Sequence, residues 1–186
     1  MTHIDDYAIE SLAKYYSENL ESNTNLVDLC SSWISHLPKT LDFSQVIGIG
    51  MNEQELQKNS RLTKYYVHDL NKNPELKMIP DESIDTVLCA VSVDYLIRVS
   101  YTYYKGKKSK WLVFIFKYST YVATLSLQPF EVFSEVHRIL KPGGSFIVSF
   151  SNRMFGTKVI KHGKYRVNPQ LFVNTYKYEG TFISHL

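Results

Sequence analysis

His137–Phe150, HRILKPGGSFIVSF, is the stretch that decides the fold of this chain. Upstream, Val132, Val136, Ile139 and Leu140 recur at helical spacing after Pro129, a residue suited to the first turn of a helix. Pro142 disfavours helical geometry at Lys141, and Gly143-Gly144 permits the chain to reverse. Ser145 to Phe150 is short, β-branched and aromatic, and reads as a half-buried to buried strand. A helix running straight into such a strand is the αβ half of a parallel α/β sheet.

The same alternation extends toward the amino terminus. Ala8, Leu12, Tyr16 and Leu20 share one face of a helix over residues 7–20, with Asp5 and Asp6 suiting its positive end. Strands are expected at 26–30, 45–49, 65–67 and 84–91, with 145–150 the fifth, and a short helix at 53–59. A helix or turn is expected over 32–37, closed by Pro38. Right-handed crossovers then imply one mainly parallel, doubly wound, Rossmann-like sheet in the order 3-2-1-4-5, with strand 84–91 beside strand 26–30.

Length and composition suit one domain spanning 1–186. The formal charge of +3 is mild and dispersed, which argues against nucleic acid as a partner. Lys105, Lys107, Lys108 and Lys110 do cluster, as a solvated loop would. Cys30 and Cys89 stand apart in apolar contexts, and the histidines lack ligand spacing, so neither a disulfide nor a metal site is expected. Trp111–Pro129 carries Lys117 and many hydroxyls, a poor membrane span, so no membrane contact is expected. The default compartment is the cytoplasm, with a plastid the alternative if a transit segment precedes this chain.

In open α/β sheets, ligands bind beyond the carboxyl ends of the strands. Asp28, Cys30, Ser31 and Ser32 follow strand one, and Gly50, Met51 and Asn52 strand two. His68, Asp69 and Leu70 follow strand three, while Val91 and Ser92 end strand four. Singly, each has a plain structural reading: an aspartate caps a turn, a glycine accepts positive φ. In register along one rim, they favour a ligand site.

Several segments in order carry a family resemblance: VDLCSSWISHLP (27–38), VIGIGMNEQEL (46–56), YVHDLN (66–71), DESIDTVLCAVSVDYL (81–96) and EVFSEVHRILKPGGSFIVSFSNRMFGTKVI (131–160). The series resembles the class I S-adenosylmethionine-dependent methyltransferases, in particular a type-11-like branch of plants and phototrophic bacteria. Ser83-Ile84-Asp85 resembles the family's "sFD" before strand four, and Leu140–Gly144 its "LkPGG" before strand five. The resemblance implies S-adenosylmethionine as cofactor and methyl transfer to a small-molecule acceptor. It implies that Asp69 accepts from the adenine amine and that Met51 and Leu70 flank the ring. Asp28 and nearby carbonyls would face the methionine end. Cys30, Ser31, Gly50, Asn52, Val91 and Ser92 would complete the cofactor rim. No catalytic base is implied, because methyl transfer needs chiefly in-line positioning.

Two features depart from the family pattern. The loop after strand one, Cys30-Ser31-Ser32-Trp33, has no glycine, and Gly50 stands where an acid usually meets the ribose, leaving Asn52 or Glu53 as substitutes. A nicotinamide-dependent dehydrogenase, the rival enzyme class, would require G-x-G-x-x-G after strand one, which DLCSSW lacks. The resemblance also breaks between Ile97 and Gln128. That segment holds no Asp or Glu, and its edges, Arg98-Val99-Ser100 and Leu125–Gln128, read like translated intron ends. A retained intron and an acceptor-binding lid are the two readings of residues 97–128. The tail 161–186 also diverges, so the antiparallel strands that close the family's sheet are expected to be missing or altered, with a makeshift hairpin around Glu179-Gly180. A degenerate, non-catalytic relative is the alternative function.

Overall fold

A computed structural model describes residues 6–92, 96, 129–151, 171–177 and 182–185. The candidate insert 97–128, with its lysine cluster, and most of the divergent tail lie outside the described residues.

Helix α1 (Asp6–Asn19) leads into β1 (Asn25–Leu29) and β2 (Gln45–Gly50). Helix α2 (Glu53–Lys58) and strands β3 (Lys64–Val67) and β4 (Ile84–Ala90) follow. Helix α3 (Pro129–Ile139) runs directly into β5 (Leu140–Ser151), and β6 (Leu171–Lys177) and β7 (Phe182–His185) end the chain. The strands form one sheet in the order β3-β2-β1-β4-β5-β6-β7. The first five are parallel in the expected 3-2-1-4-5 order, and β4 pairs with β1 from Leu26↔Thr86 to Asp28↔Leu88. This is a Rossmann-like, doubly wound α/β fold.

The two faces have separate cores. On one, Val132, Val136 and Ile139 of α3 pack over Val27, Leu29, Ile47, Ile49, Val87 and Phe146. Phe133 meets Phe146 edge-on, with centroids 5.4 Å apart. On the other, Leu12 and Tyr16 of α1, with Leu20 just past its end, cover Leu26, Val46, Leu88 and Ile147. Burial on both faces explains why β1 and β4 read as continuous apolar runs rather than alternating ones.

The Leu140–Gly144 turn has a steric reason. Gly143 sits at φ +81°, and a Cβ on Gly144 would lie 2.8 Å from the Lys141 carbonyl oxygen and 3.0 Å from that of Asp85. The extra residues form a bulge in β5: Ile84 pairs with Leu140, yet Thr86 already pairs with Ser145. Strand β5 therefore begins earlier than the sequence suggests, because Leu140 already pairs with β4 before the turn.

The tail closes the sheet as an antiparallel pair, the makeshift hairpin expected there. β6 runs antiparallel to β5 and β7 antiparallel to β6, with Tyr176 opposite Phe182. The helix allowed over 32–37 does not form; the segment is irregular, with His36 at φ 53°. The Ser32 and Ser35 hydroxyls donate to Glu55 and Asp28 instead.

Candidate functional site

Asp28 has the same strand parity as Leu26, so its side chain points toward α1 and not out of the strand end. It is 3% exposed, and its Oδ2 accepts from Ser31 Oγ and Ser35 Oγ, both at 2.6 Å. Burial pushes its carboxyl up to about 6, against the downward pull of the two serine hydroxyls. The Tyr16 hydroxyl, buried without a hydrogen-bond partner, is pushed up by its own burial and then by the Asp28 charge. The expected contact between Asp28 and a ligand's ammonium is therefore replaced by a contact with the chain's own loop.

That loop lies across the end of β2. Ser31 N donates to Ile49 O at 2.8 Å. A Cβ on Gly50 would come within 2.3 Å of the Ser31 carbonyl oxygen and 3.1 Å of Leu56. Gly50 is thus required by close backbone approach, with the chain's own loop as the approaching group. Asn59, at the end of α2, donates from Nδ2 to Ser32 O at 2.9 Å and to Ser35 Oγ at 2.8 Å. Ser32 Oγ in turn donates to Glu55. Ser35 and Asn59 were not singled out in the sequence, because their partners are distant in the chain.

Asn52 caps α2: its Oδ1 accepts from Gln54 N at 3.1 Å and Glu55 N at 3.4 Å, and its Nδ2 donates to Glu55 Oε1 at 2.9 Å. The ribose role suggested for Asn52 therefore competes with the cap. Glu53, in the first turn of α2, is exposed.

Beyond β3, Asp69 opens a turn. Its Oδ1 accepts from Asn71 N at 3.0 Å, and Oδ2 lies 3.5 Å from Lys72 Nζ. The carboxylate is half-buried and keeps acceptor capacity, as the adenine role requires. Leu70 differs from expectation: it is buried in the core, not available to flank a ring. The apolar groups open to solvent at this end are Met51 and Val67, 68% and 53% exposed, joined by Trp33 and Ile34 on the first loop. His68 N donates to Gly50 O at 2.8 Å, holding the ends of β2 and β3 together.

The ends of the two central strands are strained. Cys30, half-buried, has φ 55°, and Val91 has φ 51°, a region costly for a β-branched residue. The Val91 conformation is held by its N–H donating to Ser149 O at 2.9 Å. Ser92 Oγ donates back to Ala90 O at 2.8 Å. Two surface hollows, of about 310 and 410 Å³, lie off this rim, one beside α2 and the start of β3 and one beside Arg138. They carry none of the rim residues, and strand-end chemistry decides the site. Among the described residues, no His, Cys, Asp or Glu cluster suits a metal ion, and no helix is long and apolar enough to cross a membrane.

The nucleoside end of the rim fits S-adenosylmethionine: an acceptor at Asp69 lies on the turn after β3, with exposed apolar groups at Met51 and Val67. The methionine end fits only through backbone, Cys30 and Ser31, because Asp28 faces inward.

No protein-family model and no curated protein matches the chain. Solved structures do. The PH0226 protein of Pyrococcus horikoshii OT3 shares 20% identity and a TM-score of 0.53, over 81% of this chain and 60% of that one. An S-adenosylmethionine-dependent methyltransferase of Mesorhizobium loti shares 18% identity and a TM-score of 0.48, over 77% and 55%. Phosphoethanolamine N-methyltransferase 2 of Haemonchus contortus, solved with S-adenosylhomocysteine, shares 14% and 0.49, over 78% and 28%. The likeness to PH0226 is one of fold. The chain spans about half the length of the first solved proteins it matches.

Proposed function

We propose that the chain is a single methyltransferase-like domain that binds S-adenosylmethionine along the carboxyl edge of its sheet and supports methyl transfer to a small-molecule acceptor. The observation that carries this reading is the placement of Asp69 on the turn that follows the end of β3 in a 3-2-1-4-5 sheet. When bound, the cofactor supplies an electrophilic methyl group on a sulfonium. The chain's part is to bind and orient. Asp69 accepts from the adenine amine, and Met51 and Val67 cover the ring. Glu53 is the open candidate for the ribose hydroxyls. Cys30, Ser31, Val91 and Ser92 line the methionine end through backbone and small side chains. No general base is assigned.

Calorimetric titration with S-adenosylhomocysteine tests the reading. Wild type is expected to bind. Asp69→Ala is expected to lose about 1–3 kcal/mol, or about five- to two-hundred-fold in affinity, as an adenine amine loses its acceptor. Equal affinities clear Asp69 of the role. The second reading, a non-catalytic relative, is favoured by the inward Asp28 and the self-bonded first loop; absence of wild-type binding selects it. The type-11-like branch and the intron origin of residues 97–128 stand as part of this proposal, and an exon map tests the latter.

A further inference from the structure

We propose that Asn59 is a positioning residue, which sets the shape of the methionine end of the cofactor rim by pinning the loop after β1 through Ser32 and Ser35. The inference rests on the S-adenosylmethionine reading. The loop has neither of the usual restraints: it contains no glycine between Cys30 and Pro38, and it forms no helix. Its conformation is set instead by side chains from outside. Asn59 is 4% exposed, and its amide nitrogen serves both the Ser32 carbonyl and the Ser35 hydroxyl. Ser35, 2% exposed, passes the restraint on to Asp28. Asn59 is itself oriented, because its Oδ1 accepts from Arg61 N at 3.1 Å. A chain of buried hydrogen bonds thus runs from the end of α2 to the end of β1 and fixes where Cys30 and Ser31 present their backbone. Such a network is cooperative, so loss of one member loosens the loop as a unit.

None of Asn59's hydrogen bonds goes to Asp69, Met51 or Val67, which form the adenine end. That separation makes the inference testable with two ligands, adenosine and S-adenosylhomocysteine, titrated against the full chain. Asn59→Ala and Ser35→Ala are each expected to weaken S-adenosylhomocysteine about tenfold while adenosine affinity stays within twofold. Ser35→Thr, which keeps the hydroxyl, is expected to restore most of the loss. Unchanged S-adenosylhomocysteine affinity in both alanine variants overturns the inference. So does an equal fall for both ligands, which marks a general loss of structure. If the alanine variants do not fold, amide exchange on the wild type decides. Residues 31–37 are expected to slow with S-adenosylhomocysteine and not with adenosine; the same protection with both ligands overturns the proposal. A wild type that binds adenosine but not S-adenosylhomocysteine overturns it as well. Binding of neither ligand overturns the function proposed above and this inference with it.

Discussion

The two edges of this sheet are built from similar residue types but handle them differently. At the amino edge, charges meet charges near the surface. Lys141 Nζ lies 2.7 Å from Asp85 Oδ1, whose Oδ2 accepts from Asn25 N at 2.8 Å. Arg138 reaches Glu135, Asp81 and the carbonyls of Leu76 and Ile79, and its hydrogen bonds hold the Glu135 carboxyl below its usual range. At the carboxyl edge, Asp28 is buried with two neutral hydroxyls for company. Val91 is held at positive φ, and four large apolar side chains face solvent. Positive φ also occurs at Asn23 and Glu82 before β1 and β4, but neither is β-branched. Paired charges and satisfied carbonyls account for the first edge. The second carries costs that packing does not repay, the pattern expected where a fold holds a site.

The largest expected effect separating the edges is the pH response of Asp28. Its folded pKa is raised from 3.8 to about 6, a difference worth about 3 kcal/mol. A raised pKa means that protonation favours the folded state. The contribution is therefore fully present below about pH 4 and is lost as pH rises through about 6. Asp28→Asn does not ionise and keeps an acceptor for the serines. Chemical denaturation from pH 4 to 8 should show Asp28→Asn gaining on wild type by about 3 kcal/mol as pH rises. A difference that stays flat with pH would mean that Asp28 is better solvated than its burial implies.

Next comes the amino edge. Arg138→Met keeps the aliphatic stem and strands the Leu76 and Ile79 carbonyls, and the ion pairs it removes are partly exposed. About 2 kcal/mol of stability should be lost. Affinity for S-adenosylhomocysteine should stay within twofold, because the edge lies at the opposite end of the strands. A parallel fall in affinity would break the division between the edges.

What could be read from the sequence follows the same division. Strand order and the apolar faces of α1 and α3 were legible, since they rest on local periodicity and on crossover handedness. The Leu140–Gly144 turn was legible because proline and glycine carry their conformational meaning alone. The rim was legible only as positions. Nothing local distinguishes an Asp28 that faces a ligand from one that faces Ser35, because the choice depends on strand parity against α1. Asn59 sits 24 residues from Ser35 and 27 from Ser32, and no spacing rule links them. Leu70 read as a flanking group because it follows Asp69, yet the turn opened by Asp69 directs it into the core.

The smallest effect concerns the strain at Val91. A residue with a Cβ at φ 51° is less favourable than glycine there by about 1–2 kcal/mol. In ordinary extended or helical backbone the order is reversed, with alanine the better residue by about 0.5–1 kcal/mol. Val91→Ala and Val91→Gly both remove the methyl groups of a half-buried side chain, so their difference isolates the backbone term. Val91→Gly should be the more stable of the pair by about 1 kcal/mol in denaturant titration. If alanine is the better residue, then Val91 sits in relaxed backbone in solution, and the carboxyl edge loses the feature that most sets it apart from the amino edge. If glycine is better, the strain is real and is maintained by the Val91 N–H bond to Ser149 O. Ser149→Ala should leave the preference for glycine intact, because it spares that carbonyl.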